Sequence, residues 1–173
     1  ENGSKAESLP GGRQQEEMLV SGVEKGDKAA FETLLVGARG GDARAQYNLG
    51  DLYLSGTLYR VRLVANRDSG EGLQWMRKSA AQRYDRALAY MGMLYFQDNS
   101  RFVAHDKVAA YAFFTLLAEQ DPEGELAVSL GRVRDFSEQE IQAGKALADQ
   151  MREPDHLLKA LDDYLAAPHN EQK

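Results

Sequence analysis

The residue pair in this sequence most suited to acid–base chemistry is His105 followed by Asp106. In a catalytic triad, a carboxylate contacts the imidazole of a histidine and orients it toward a nucleophile. His105 and Asp106 are instead adjacent in the chain and stand directly before a segment with helical periodicity. An aspartate at such a position accepts hydrogen bonds from the first free backbone N–H groups of a helix. The pair therefore predicts a capped helix and a solvated histidine.

The other polar residues form no catalytic or metal-binding pattern. The chain has three histidines and no cysteine, and no two histidines have metal-site spacing such as H-E-x-x-H. Sequence motifs for phosphate cradles and for serine hydrolases are missing. The acidic pairs Glu16–Glu17 and Asp162–Asp163 are interpreted as solvated faces. We therefore expect a non-enzymatic protein with no metal ion and no small-molecule cofactor.

The segment TLYRVRLVANRD, residues 57–68, concentrates basic and apolar side chains in an acidic chain. Its cations are Arg60, Arg62 and Arg67. One interpretation is a long loop that folds back over the edge of the domain, where its apolar residues fill a gap. The other is a contact loop for an acidic partner, since arginine and tyrosine are enriched at interface anchors.

The composition is that of a globular protein, with 43% hydrophobic and 28% charged residues. The formal net charge of −6 argues against a nucleic-acid partner, which would require a basic face. No apolar run approaches the roughly 20 residues that span a bilayer, so no transmembrane segment is expected. Because the first residue is Glu1 rather than Met, the chain is interpreted as processed or trimmed. That favours a periplasmic or secreted location, with a cytoplasmic one still open.

Helical periodicity extends over residues 14–166 and predicts an all-α domain without strands. Residues 1–13 are predicted to be a disordered leader and residues 167–173 a disordered tail. Short polar residues mark helix starts at Asp27, Asp42, Asp68, Asp106 and Ser137. The predicted helices are 14–25, 28–39, 43–55, 69–82, 85–97, 106–119, 123–133, 138–152 and 155–166.

A repeat organises these helices into pairs. Aligning Gly50 with Gly92 gives a period of 42 residues (92 − 50). Each unit has a first helix with the pattern Ala-x-x-x-Leu/Met-Gly-x-x-Tyr and a second helix with Trp75 or Phe113. Residues 27–45 and 126–133 resemble partial units at the two ends. We expect Gly50 and Gly92 to mark close helix contacts, since glycine inside a helix costs about 1 kcal/mol relative to alanine. We also expect Trp75 to be buried within its unit.

This pattern resembles the Sel-like repeat (Sel-1-like) family, α/α solenoids related to tetratricopeptide repeats. The matching residues of the first unit are Ala45, Leu49, Gly50, Tyr53, Gly56, Asp68, Trp75, Ala80 and Ala87. The chain departs from the family pattern in a longer loop between Gly56 and Asp68, and in Asp98 and Phe113 of the second unit. The resemblance implies a short solenoid of two full units, with partial units at both ends and C-terminal capping helices.

The resemblance also implies a function, because members of the family act mostly as scaffolds, adaptors or protein-interaction modules, many of them bacterial. The implied function is an adaptor or inhibitor, such as an immunity protein or a regulatory scaffold, that binds another protein. The alternative is a structural scaffold in cell-envelope or secretion-machinery assembly.

In the geometry that the resemblance implies, the partner binds along the groove lined by the first helix of each unit. The groove residues are Arg44, Tyr47, Asp51 and Leu54 in the first unit, Arg86, Ala89, Met93 and Phe96 in the second, and Val128 and Arg132 in the partial third. Arg60 and Arg62 of the basic segment are additional candidates. Folding of the last helices, residues 138–166, across the groove would bury part of this strip.

Overall fold

A computed structural model describes residues 12–124 and 134–168. Within these residues the chain is helical and contains no strand, which confirms the predicted all-α class. The helices are α1 (Gly12–Glu24), α2 (Lys28–Arg39), α3 (Ala43–Leu54), α4 (Thr57–Arg60), α5 (Ser69–Ala81), α6 (Asp85–Phe96), α7 (Lys107–Gln120), α8 (Glu138–Met151) and α9 (Leu157–Ala166). The helix predicted at 123–133 lies almost entirely outside the described residues, as do most of the predicted leader and tail.

The predicted helix caps are present. An aspartate side chain accepts a backbone N–H at the start of α2, α3, α5 and α7, and each of the four shortest bonds measures 2.9 Å. Ser137 and Glu140 bond reciprocally at the start of α8, with both distances 3.1 Å. Most helix ends differ from the prediction by one or two residues, and two assignments change. Gly12 and Arg13, assigned to the leader, belong to α1, and α4 was predicted as loop.

The chain divides into two compact units, the first ending at Ala87 and the second beginning at Leu88. The core of the first unit combines residues from α1 to α5: Val23, Ala30, Phe31, Leu34, Ala38, Ala45, Leu49, Leu52, Leu58 and Trp75. Burial of these side chains from water is the main term that stabilises this unit.

Helices α3 and α5 pack closely in the first unit because glycines face each other at their contact. A Cβ atom at Gly50 would lie 3.0 Å from both the Gly72 carbonyl oxygen and the Met76 amide nitrogen. Farther along the pair, the Ser79 hydroxyl donates a 2.6 Å hydrogen bond to the Ala43 carbonyl. Trp75 is only 8% exposed and its N–H donates to Glu71 at 3.0 Å. The predicted close approach at Gly50 and the burial of Trp75 are therefore confirmed.

In the second unit, α8 packs against both α7 and α9. Gly144 of α8 lies against Tyr111, where an added Cβ would be 2.8 Å from the tyrosine Cβ. The Tyr164 hydroxyl of α9 donates to the Asp106 carboxylate at 2.9 Å. At Gly92, a Cβ would meet the Phe114 ring at 2.5 Å. The close contact predicted at Gly92 is thus with a side chain, whereas the contact at Gly50 is with backbone.

Four helix ends in the first unit share one turn geometry. After α1, α2, α4 and α5, two N–H groups bond back to carbonyls of the last turn, five and three residues earlier. The residue that donates to the carbonyl three residues earlier has a positive φ at each of these ends. The four residues are Gly26, Gly41, Arg62 and Arg83. Glycine is usual at this position, and a residue with a side chain there costs roughly 1–2 kcal/mol. Two arginines therefore occupy positions that backbone conformation alone would assign to glycine.

Candidate protein-interaction surface

One charged cluster of the first unit joins α1, α3 and Arg86, at the start of α6, through the Glu16 carboxylate. Asn48 donates a 2.7 Å hydrogen bond to Glu16 Oε1. The guanidinium groups of Arg44 and Arg86 lie 3.3 and 3.6 Å from the two carboxylate oxygens. Arg44 and Asn48 belong to α3, Arg86 to α6 and Glu16 to α1, so the carboxylate holds α1 against the outward face of α3.

Glu16 was interpreted as part of a solvated acidic pair, and that interpretation is wrong. Its exposed fraction is 5%, whereas Glu17 is exposed. A buried carboxylate requires cations or N–H donors to replace water, and Arg44, Asn48 and Arg86 supply them. The burial of Glu16 has a signal in the sequence, which is its spacing from an apolar residue of the same helix. Glu16 stands seven residues before Val23, which places both side chains on the same helix face.

Two tyrosines and one arginine lie together beside this carboxylate. The rings of Tyr47 and Tyr84 meet edge to face with centroids 5.5 Å apart, and the Arg86 guanidinium lies 6.0 Å from the Tyr47 ring centroid. Burial raises the pKa of both tyrosine hydroxyls, so both are neutral donors at neutral pH. Tyr84 was missed by the sequence analysis because it lies in the turn before α6, outside the repeat positions.

Asp51 lies one turn beyond Tyr47 on the same face of α3. Burial and the nearby Glu24 carboxylate raise the pKa of Asp51 above its usual value. Short turns join α1 to α2 and α2 to α3, and α2 packs against both, so the chain reverses direction twice and α1 runs in the same general direction as α3. We define the first-helix surface as Arg44, Tyr47, Asp51, Tyr84 and Arg86, which are at least partly exposed; the buried Asn48 lies beneath it.

Leu54 does not belong to this surface, contrary to the sequence prediction. It is buried, with an exposed fraction of 8%. A Cβ at Gly72 would lie 3.0 Å from Leu54 Cγ, so the leucine packs against α5. The absence of a side chain at Gly72 draws Leu54 inward, toward the second helix of the pair.

Two predicted groove residues, Met93 and Phe96, lie in the second unit. Met93 is exposed at 46%. Phe96 is only partly exposed, and its ring lies 5.6 Å from that of Phe136, which in turn meets Tyr111 at 5.1 Å. Phe96 therefore packs against the segment that precedes α8. This agrees with the alternative in which C-terminal residues bury part of the groove. Ala89 is partly buried, and Val128 and Arg132 lie outside the described residues.

The apolar residues of the basic segment pack as its first interpretation predicted. Leu58 is fully buried in the core of the first unit, and Leu63 and Val64 pack against that core. Arg60 and Arg62 remain exposed. The apolar side chains thus fasten the segment to the domain, while its cations stay available to solvent.

The side chains of His105 and Asp106 contact different partners. The His105 imidazole faces Asp98 at 3.4 Å, whereas Asp106 caps α7 and accepts the Tyr164 hydroxyl. Over residues 12–124 and 134–168, no group of three histidine, aspartate or glutamate side chains could hold a metal ion. None of the described helices is long and apolar enough to cross a membrane.

Comparison of the chain with protein-family models, with curated proteins and with solved structures finds no match.

Proposed function

We propose that this chain is a non-enzymatic protein-interaction module of the Sel-like repeat type, which binds another protein through its first-helix surface. The helix order of the first unit supports a short α/α solenoid. The antiparallel pair α3 and α5 follows α1 and α2, and α1 has the same general direction as α3 because the chain reverses at each of the two short turns between them. Parallel first helices from successive units are the arrangement that lines one face of a solenoid.

The observation that carries the proposal is the group formed by Tyr47, Tyr84 and Arg86. Tyrosine and arginine are enriched among the residues that dominate binding energy at interfaces. Arg86 is 44% exposed in its side chain while one guanidinium nitrogen faces Glu16. Holding these side chains before a partner arrives reduces the conformational entropy lost on binding. The Glu16 cluster therefore serves to position the contact residues.

The raised pKa of Asp51 is a second support for this location. Burial and Glu24 disfavour its charged form, so an aspartate here works against folding at neutral pH. Perturbed ionisable groups are concentrated at functional sites. A partner that offers an N–H donor or a cation to Asp51 would remove this penalty on binding.

The test is recovery of a partner by the tagged full chain from an extract of the source cells. The binding variant is Tyr47→Ala with Arg86→Gln. The matched control is Val36→Ala with Arg39→Gln, which truncates one apolar side chain and replaces one arginine on α2, both of them exposed. The proposal expects one protein at fixed stoichiometry with the native chain and the control, and its loss with the binding variant.

Two outcomes contradict the proposal. Equal recovery by the binding variant and the native chain would place the contact on another face. Sedimentation of the chain with cell-wall material, with no protein at fixed stoichiometry, would favour the alternative of an envelope scaffold.

A further inference from the structure

The cations of the first unit differ in whether they are neutralised within the chain. Arg44 and Arg86 face the Glu16 carboxylate. Among the described residues, no carboxylate pairs with Arg60, Arg62 or Arg67. Arg60 bonds to the Thr57 hydroxyl at 3.4 Å. In a chain with a net charge of −6, the segment 57–67 therefore carries a local excess of positive charge.

Two of these cations, Arg60 and Arg62, line an open pocket of about 500 Å³. Its lining consists of Tyr59, Arg60, Arg62, Leu63, Val64 and Ala65. Leu63 and Val64 are half-buried and pack against the core of the first unit, so they form an apolar floor that is fixed to the domain. Tyr59 is 45% exposed, and Arg67 stacks 5.6 Å from its ring centroid, which holds the tyrosine at the edge of the pocket.

The backbone of the pocket is also fixed. The N–H groups of Leu63 and Val64 both donate to the Leu58 carbonyl, at 3.0 and 3.3 Å. Arg62 lies between the end of α4 and Leu63. Its φ is 62°, in the left-handed region that favours glycine. An arginine held in that conformation beside the pocket contributes a charge at the expense of backbone energy, and such strain is concentrated at functional sites.

We infer that this pocket binds an acidic segment of a partner protein. Carboxylates of the segment pair with Arg60 and Arg62, and an apolar side chain of the same segment lies on Leu63 and Val64. Arginine suits this role because its planar guanidinium donates two parallel hydrogen bonds to one carboxylate. The site is separate from the first-helix surface and does not depend on it.

The charge distribution favours a short acidic peptide over a nucleic acid. A nucleic-acid strand presents one charge per phosphate and gains affinity from an extended basic surface. Here the positive charge is confined to one segment of a chain that is acidic as a whole. A short segment contacts the arginines alone, whereas a longer polyanion would extend over acidic surroundings.

The experiment measures fluorescence anisotropy of rhodamine-labelled probes with the full chain. The first probe is the peptide Asp-Glu-Leu-Asp-Glu-Leu, capped at both ends. The second replaces its acids with Asn and Gln, and the third is an oligothymidylate of equal charge. We expect binding of the acidic peptide that weakens as salt rises, binding of the amide peptide weaker by at least about tenfold, and weaker binding of the oligonucleotide.

The test variant is Arg60→Gln with Arg62→Gly, since glycine at position 62 accepts the positive φ and removes the charge. We expect it to unfold at the same or higher denaturant concentration than the native chain and to bind the acidic peptide at least about tenfold more weakly. The variant Tyr47→Ala with Arg86→Gln should bind this probe within about twofold of the native chain.

The inference would be overturned by no binding of the acidic peptide, by equal binding of the amide peptide, or by unchanged binding of the acidic peptide to the arginine variant. Tighter binding of the oligonucleotide than of the peptide would overturn it in favour of a nucleic-acid site. Loss of peptide binding in the Tyr47 and Arg86 variant alone would place the acidic segment on the first-helix surface. Failure of the proposed first-helix contact leaves all of these measurements unchanged, so the two proposals can fail separately.

Discussion

Replacement of Gly50 with leucine is expected to force α3 and α5 apart. A Cβ atom at this position would lie 3.0 Å from two backbone atoms, the Gly72 oxygen and the Met76 nitrogen, and 3.3 Å from Met76 Cβ. Backbone atoms within helices cannot rotate away as a side chain can. Even alanine therefore requires a shift of a few tenths of an ångström, and leucine adds three further carbons to the same space.

The expected effect follows from two opposing terms. Removing a glycine from a helix interior stabilises it by about 1 kcal/mol or less. Overpacking of a close contact costs typically about 1–3 kcal/mol, and more where the backbone must move. We expect a net decrease in the free energy of unfolding of about 1–3 kcal/mol, which lowers the melting temperature by roughly 2–4 °C per kcal/mol in a chain of this size.

The assay uses Trp75, the chain's single tryptophan, which lies in the core of the first unit. Its fluorescence during urea titration reports on the unit that contains the substitution. The matched control is Gln74→Leu, which adds a leucine to an exposed position of α5 without a close contact. The packing argument would be refuted if Gly50→Leu melted within a degree of the native chain, or if its urea midpoint equalled that of the native chain within error.

Further predictions concern the buried groups. Native Trp75 fluorescence should be blue-shifted and move to the red in denaturant, and a native maximum typical of water would contradict its burial. Glu16→Ala should lower the free energy of unfolding by about 1–3 kcal/mol, because Arg44 and Asn48 lose their common acceptor; an unchanged urea midpoint would argue against the cluster. Asp51→Asn should stabilise the chain at pH 7. The raised pKa of Asp51 means that its neutral form favours folding, so this advantage should disappear as the pH falls below about 4. A gain that persists at pH 3 would exclude this cause. Burial and Asp106 raise the pKa of Tyr164, so stability should decrease as the pH rises above about 10, with a smaller slope in Tyr164→Phe; equal slopes would assign the loss to other tyrosines.

The helices that could be predicted are those with a side-chain cap. Four of these caps are aspartates, each of which accepts the backbone N–H of the second or third residue of the helix that follows: Asp27, Asp42, Asp68 and Asp106. This bond depends only on local sequence. Helix α4 lacks such a cap. It begins after Gly56, which has a φ of 76° and no side chain to bond, and it is held by the burial of Leu58 in the core.

The candidate site was predicted only in part. The geometry implied by the resemblance assigned Arg44, Tyr47 and Asp51 to the groove side of α3, and their spacing of three and four residues places them on one face of that helix. Glu16 and Tyr84 could not be assigned to it from the repeat, because their positions depend on how α1 and the turn before α6 pack against α3. Leu54 was misplaced because its direction is decided by the space at Gly72, on a different helix.

The turn at Arg62 also determines how the first unit responds to a protease. Trypsin cleaves after arginine, and exposed loop tips are preferred sites of nicking. Yet the two N–H groups that follow Arg62 are bonded to the Leu58 carbonyl, and a protease requires an extended backbone on both sides of the bond it cuts. Cleavage at this exposed residue therefore requires Leu63 and Val64 to leave the core first. The rate of tryptic cleavage after Arg62 thus measures local opening of the first unit, and an occupant of the adjacent pocket would slow it.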